Sequence, residues 1–98
     1  MKFEGPLFDI ANEAARAQTL WPKEFDDQNT LNDWTAYVTM YLGRATQMKN
    51  TKDDTRLFLV KAAGIILNTI LRLDAGTLKP SHYDPQPVTV ADTASPLD

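Results

Sequence analysis

The stretch "LFLVKAAGIILNTILRL", Leu57 to Leu73, constrains this chain more than any other. Lys61, Gly64, Asn68 and Arg72 recur at helical spacing and share one narrow face. Nearly every other position is Leu, Ile, Val, Phe or Ala. A helix that is apolar over most of its circumference has to be covered on several sides. Lys61, Asn68 and Arg72 interrupt a stretch already at the short limit for a bilayer. It therefore reads as a buried helix of an all-α domain and not as a membrane span.

Its bounds extend from Lys52 to Asp74. Thr51 with Asp54 forms a capping pattern, Asp53 and Asp54 suit the positive end of the helix dipole, and Gly76 suits the stop. Two more helices are predicted before it. One runs from about Pro6 to Leu20, opening on proline, with Leu7, Ile10, Ala11, Ala14 and Gln18 on one stripe. "WPKEFDDQN", Trp21 to Asn29, breaks that pattern and reads as a loop, because Pro22 pushes Trp21 out of the helical region. The other helix spans about Leu31 to Met48, entered through Thr30 and Asp33 in a capping-box spacing. Leu31, Trp34, Val38, Leu42 and Ala45 form its apolar stripe, with Tyr37, Tyr41, Arg44 and Met48 beside it.

Two short helices cover about half to two thirds of a third that is apolar nearly all round. The rest is left for the tail or for a second chain. The expectation is a three-helix chain forming a compact bundle completed by dimerisation, with the two later helices making much of the shared bundle. Residues 1–76 form the helical domain. The tail from Thr77 to Asp98 holds four of the six prolines, has no helical period and is expected to end in disorder.

Ninety-eight residues allow one domain, and a chain this short buries only a limited fraction of its surface. A net charge of −3 gives no general attraction to nucleic acid or to anionic lipid. The absence of cysteine excludes a disulfide framework and a thiolate metal site, and suits a reducing cytoplasm. "MKFEGPLFDI" has acids and a proline where a signal peptide needs an apolar run, so a cytoplasmic protein is expected.

No nucleophile triad, Gly-rich phosphate loop or paired-histidine motif is present, and the lone His82 lies in the tail. Most acids fall at helix starts or in loops. None lies between Asp33 and the end of its helix, or between Asp54 and Asp74, so the middle of the bundle is expected to be free of carboxylates. No metal and no cofactor are therefore expected. The remaining constellation is Tyr37, Tyr41 and Arg44 on one helix face, with Lys61 approaching from the next helix. Aromatics beside a cation stack a base or dock a partner, and they also serve as peripheral core.

Three segments carry a likeness to a known family: "ANEAARAQTLW", "WTAYVTMYLGRATQ" and "TRLFLVKAAGIILNTILRLD". In order, spacing and hydrophobic pattern the chain resembles the small MazG-like proteins of the all-α nucleoside triphosphate pyrophosphohydrolase superfamily, over about Ala11 to Asp74. That family holds magnesium with an E-x-x-E motif on its second helix and further acids on the next. The matching positions here are Tyr41 and Arg44, then Phe58 and Lys61. None is a carboxylate, and arginine puts a cation where the metal would sit. The resemblance thus implies a relative without the catalytic metal. Since small members occur in bacteria and bacteriophages, it also implies a phage accessory or host-modulating setting.

The functional expectation is a non-catalytic binding or regulatory protein acting through protein–protein contacts, with itself and an unidentified protein as partners. The alternative is a nucleotide-binding protein with residual or lost pyrophosphohydrolase activity. There Arg44 and Lys61 would grip phosphates and Tyr37 or Tyr41 would stack the base.

Overall fold

A computed structural model describes residues 2–80. They form four helices: α1 (Glu4–Gln18), α2 (Lys23–Gln28), α3 (Leu31–Ala45) and α4 (Lys52–Asp74). The all-α class is as expected, and the helix count is corrected from three to four. Trp21–Asn29 is not simply a loop. Pro22, with extended backbone, precedes the single helical stretch α2, and its carbonyl accepts from the amides of Phe25 and Asp26. Trp21 stacks on Phe25 with ring centroids 5.2 Å apart. So short a helix has no stability of its own; contacts to α4 hold it.

Both expected capping boxes are present. Thr30 accepts from the Asp33 amide while the Asp33 carboxylate accepts from the Thr30 amide, and Thr51 and Asp54 repeat the exchange. These boxes fix the starts of α3 and α4 where the sequence puts them. The other boundaries shift. Pro6 lies inside α1, which starts at Glu4 and ends at Gln18, and α3 ends at Ala45, which leaves Met48 outside it. The end of α4 is closed by Gly76 at φ +74°, a conformation open to glycine without a Cβ penalty. The Thr77 amide donates to the Arg72 carbonyl and that of Gly76 to Leu73, which is the Schellman pattern. The chain then returns past the start of α3, where the Leu31 amide donates to the Lys79 carbonyl. His82 and most of the proline-rich tail lie outside the described residues.

α4 is the centre. α3 packs antiparallel to it, with Tyr41 against Phe58 at one end and Trp34 under Arg72 at the other. α1 packs parallel to it, with Asp9 against Arg56, Glu13 against Lys61 and Ala14 against Asn68. The small residues Ala14, Ala45, Ala62 and Gly64 are buried where the helices approach. At Gly64 an added Cβ would lie 3.1 Å from Glu13 Cγ and 3.3 Å from the Ala14 nitrogen. That contact sets how near α1 can come.

The orientation of α4 reverses the ordinary expectation for an amphipathic helix. Its polar face of Lys61, Gly64, Asn68 and Arg72 is turned toward α1 and α2. Its opposite, apolar face carries half-exposed Leu59, Ile66, Ile70 and Leu73. Among the described residues no large side chain is fully buried, and no helix is long and apolar enough to cross a membrane.

Candidate functional site

α1 and α3 flank the polar face of α4 and leave between them a cleft of about 590 Å³, closed at one end by α2. Its floor is Lys61, Ile65, Asn68 and Arg72; Trp34, Tyr37, Met40 and Tyr41 form the α3 wall. The helical period explains the division. Lys61, Gly64, Asn68 and Arg72 recur every three to four residues along α4, as do Trp34, Tyr37 and Tyr41 along α3.

Charges in the cleft are arranged in two groups. At one end, Glu13 accepts from Arg16 Nε and Nη2 at 2.8 and 2.6 Å and from Lys61 Nζ at 3.1 Å. The Arg16 hydrogen bonds hold the Glu13 carboxyl below its ordinary range; partial burial opposes them and Lys61 adds to them. At the other end, Arg72 Nη1 donates to Asp27 at 3.2 Å, and Nη2 lies 3.8 Å from Asp26. The guanidinium also lies over the Trp34 ring, 5.4 Å from its centroid. Burial pushes the Asp26 carboxyl up, against the pull of Arg72, whereas Lys23 and then Arg72 draw that of Asp27 down. Between the two groups, Asn68 donates to the Ala14 carbonyl at 3.0 Å and accepts from Gln18 at 2.7 Å. The indole N–H of Trp34 is buried with no hydrogen-bond partner among the described residues.

Of the four residues picked from sequence, Tyr37, Tyr41 and Lys61 line this cleft and Arg44 does not. Arg44 lies over the Tyr41 ring at 5.4 Å, beside Asn50 and Asp54. A joint phosphate grip by Arg44 and Lys61 is thus not built: the two sit in different depressions, and Lys61 is engaged by Glu13. The expectation of a carboxylate-free centre is also corrected: α3 and α4 bring no acid into it, but Glu13 enters from α1. Sequence reasoning missed Glu13, Arg16 and Arg72 as parts of one site. The unused signal was the polar stripe of α4, whose residues need polar partners once that face is packed.

Tyr41, Arg44, Phe58 and Lys61 nevertheless gather around one ring. Phe58 stacks on Tyr41 at 6.4 Å, and Lys61 Nζ lies 6.0 Å from the Tyr41 centroid. An aromatic pair and two cations thus occupy this point between α3 and α4. Among the described residues no group of three or more acids or histidines could hold a metal ion. The cleft can accept a flat or apolar group against its aromatic wall, and its ion pairs are closed on themselves. Compared with known protein families, with curated proteins and with solved structures, the chain matches none.

Proposed function

We propose that this chain is a non-catalytic binding protein that acts through protein–protein contact. The observation that carries the reading is the apolar face of α4, turned away from the cleft and left half-exposed over the length of the helix. Helical geometry extends it sideways. With α3 antiparallel on one flank of α4, Leu31 and Leu42 of α3 fall on the same side. Contiguous apolar surface of this kind on a small chain marks an interaction site.

The cleft supports the same reading from the other side. Its carboxylates are engaged by cations, and a divalent metal would have to break those pairs. On the MazG-like resemblance, Tyr41, Arg44, Phe58 and Lys61 stand at the positions expected for metal-binding acids, and these four residues form an aromatic stack with two positive charges.

A second reading, nucleotide binding, is favoured by one observation: Trp34, Tyr37 and Tyr41 line a cleft of suitable size. Phosphate would have to compete with Glu13 for Arg16 and Lys61. Two measurements separate the readings. In a native-host lysate, tagged wild-type chain should retain a defined protein that an Ile66→Glu chain does not, and a nucleotide panel with and without magnesium should leave the melting temperature unchanged. A nucleotide shift that Tyr37→Ala abolishes, with no face-dependent partner, would replace the first reading by the second.

A further inference from the structure

The apolar face of α4 carries more information than its hydrophobicity. Leu59, Ala63, Ile66, Ile70 and Leu73 follow one another at steps of four, three, four and three residues. That alternation is the 3.5-residue repeat of a helix-to-helix seam, narrower than the stripe that faces a general core. The four large members are 48%, 47%, 47% and 63% exposed, and the one small member, Ala63, sits near the middle.

We propose that this face is the seam of a two-fold antiparallel dimer with a second copy of the same chain. The proposal rests on the protein-contact reading and names its partner. Three observations select a second copy. The first is self-complementarity of the register. In an antiparallel pairing centred between Gly64 and Ile65, Leu59 meets the partner's Ile70 and Ala63 meets the partner's Ile66. The two-fold repeats these two pairs, and Leu73 at the end of the seam falls opposite the partner's Arg56. Each central layer then sets one large side chain against the single alanine, which lets the helices interdigitate.

The second observation is charge. On this side α4 begins with Lys52 and ends with Asp74, while Arg56 lies at the α1 edge, already paired with Asp9. Antiparallel pairing brings Lys52 of one copy toward the partner's Asp74, and parallel pairing would stack like on like. The third is area. Four half-exposed aliphatic side chains per chain provide on the order of 700 Å² of apolar surface for two chains. Leu31 and Leu42 on the α3 flank bring the total to about 1,000 Å², the area that a biological interface has to clear. The seam lies on the side of α4 opposite Lys61, Asn68 and Arg72, so dimerisation leaves both clefts open.

Light scattering on the full chain should give twice the 11.0 kDa chain mass at micromolar concentration. Ile66→Glu should return the mass to that of one chain while circular dichroism keeps its helical signal. A wild-type monomer overturns the proposal, and the protein-contact reading then stands or falls separately on the face-dependent partner in lysate. Orientation is tested by cross-linking, which the cysteine-free chain makes simple. Leu59 and Ile70 are half-exposed in the single chain, so Leu59→Cys and Ile70→Cys should leave its fold in place. Mixed and oxidised, they should form the heterodimeric disulfide, with neither forming one alone. Homotypic disulfides from each variant alone would mean parallel pairing and would overturn the register. No cross-link in a dimeric mixture would place the interface elsewhere and overturn the seam.

Discussion

Two glycines in this chain should answer the same substitution with opposite signs. Replacing a helical glycine by alanine removes backbone freedom from the unfolded chain and gains about 0.5–1 kcal/mol where the new methyl has room. At Gly43 of α3 nothing lies within 4 Å of the added Cβ, so Gly43→Ala should stabilise by about 0.5 kcal/mol, reduced because the site is near the helix end. At Gly64 the Cβ would meet Glu13 Cγ at 3.1 Å and the Ala14 amide nitrogen at 3.3 Å. Neither neighbour yields easily. The nitrogen is backbone, and Glu13 is anchored by Arg16 and by Lys61. Crowding of this kind costs about 1–3 kcal/mol, which outweighs the propensity gain and leaves a net loss of about 1 kcal/mol. Urea unfolding at one fixed protein concentration reads both effects. With a slope of about 1 kcal/mol per molar, the midpoint should fall by about 1 M for Gly64→Ala and rise by about 0.5 M for Gly43→Ala. A Gly64→Ala chain as stable as Gly43→Ala would show that α1 does not rest on α4 at this point, and the cleft described above would lose one wall.

Thr30→Ala and Thr51→Ala should each cost about 1 kcal/mol in the same assay, because each removes the side-chain half of a capping box. Arg72→Ala should cost about 2 kcal/mol, since it uncovers the Trp34 ring and leaves the partly buried Asp26 without its cation; Trp34 fluorescence should shift to the red. Stability should fall on acidification through Glu13. Its folded carboxyl titrates below the ordinary 4.5, so its contribution is complete above that pH and is lost as pH drops through the folded value. Glu13→Gln should flatten the acid limb of a melting-temperature profile. Asp26 runs the other way: its folded carboxyl titrates above the ordinary 3.8, so its contribution is complete below that pH and is lost as pH rises through the folded value, and Asp26→Asn should remove this opposing trend.

The starts of α3 and α4 were legible because a capping box is a local device: Thr30 with Asp33 and Thr51 with Asp54 settle their hydrogen bonds within one turn. The stop at Gly76 is local for the same reason. The short α2 was not legible, since its acids at Asp26 and Asp27 gain their partner from Arg72, far along the chain. The site was half legible. Tyr37, Tyr41 and Lys61 line the cleft as their spacing suggests, but periodicity assigns polar residues to water by default. Nothing within α4 says that Lys61 and Asn68 will meet Glu13, Gln18 and the Ala14 carbonyl instead. A polar stripe on a helix that is otherwise apolar has two solutions, and here the packed one is adopted.

That choice divides the molecule into parts of unequal permanence. α3 and α4 are joined by the short segment 46–51 and meet through Tyr41, Phe58 and Trp34. α1 reaches α4 only across a long stretch of chain; beyond the small contact of Ala14 at Gly64 it is held largely by ion pairs and amides that water can replace at little cost. The amides of α1 should therefore exchange with deuterium well before those of α3 and α4, through a local opening in which α1 lifts away as a unit. The first helix of the chain would then be the last to fold and the first to leave, and the cleft would open by unzipping along its polar side.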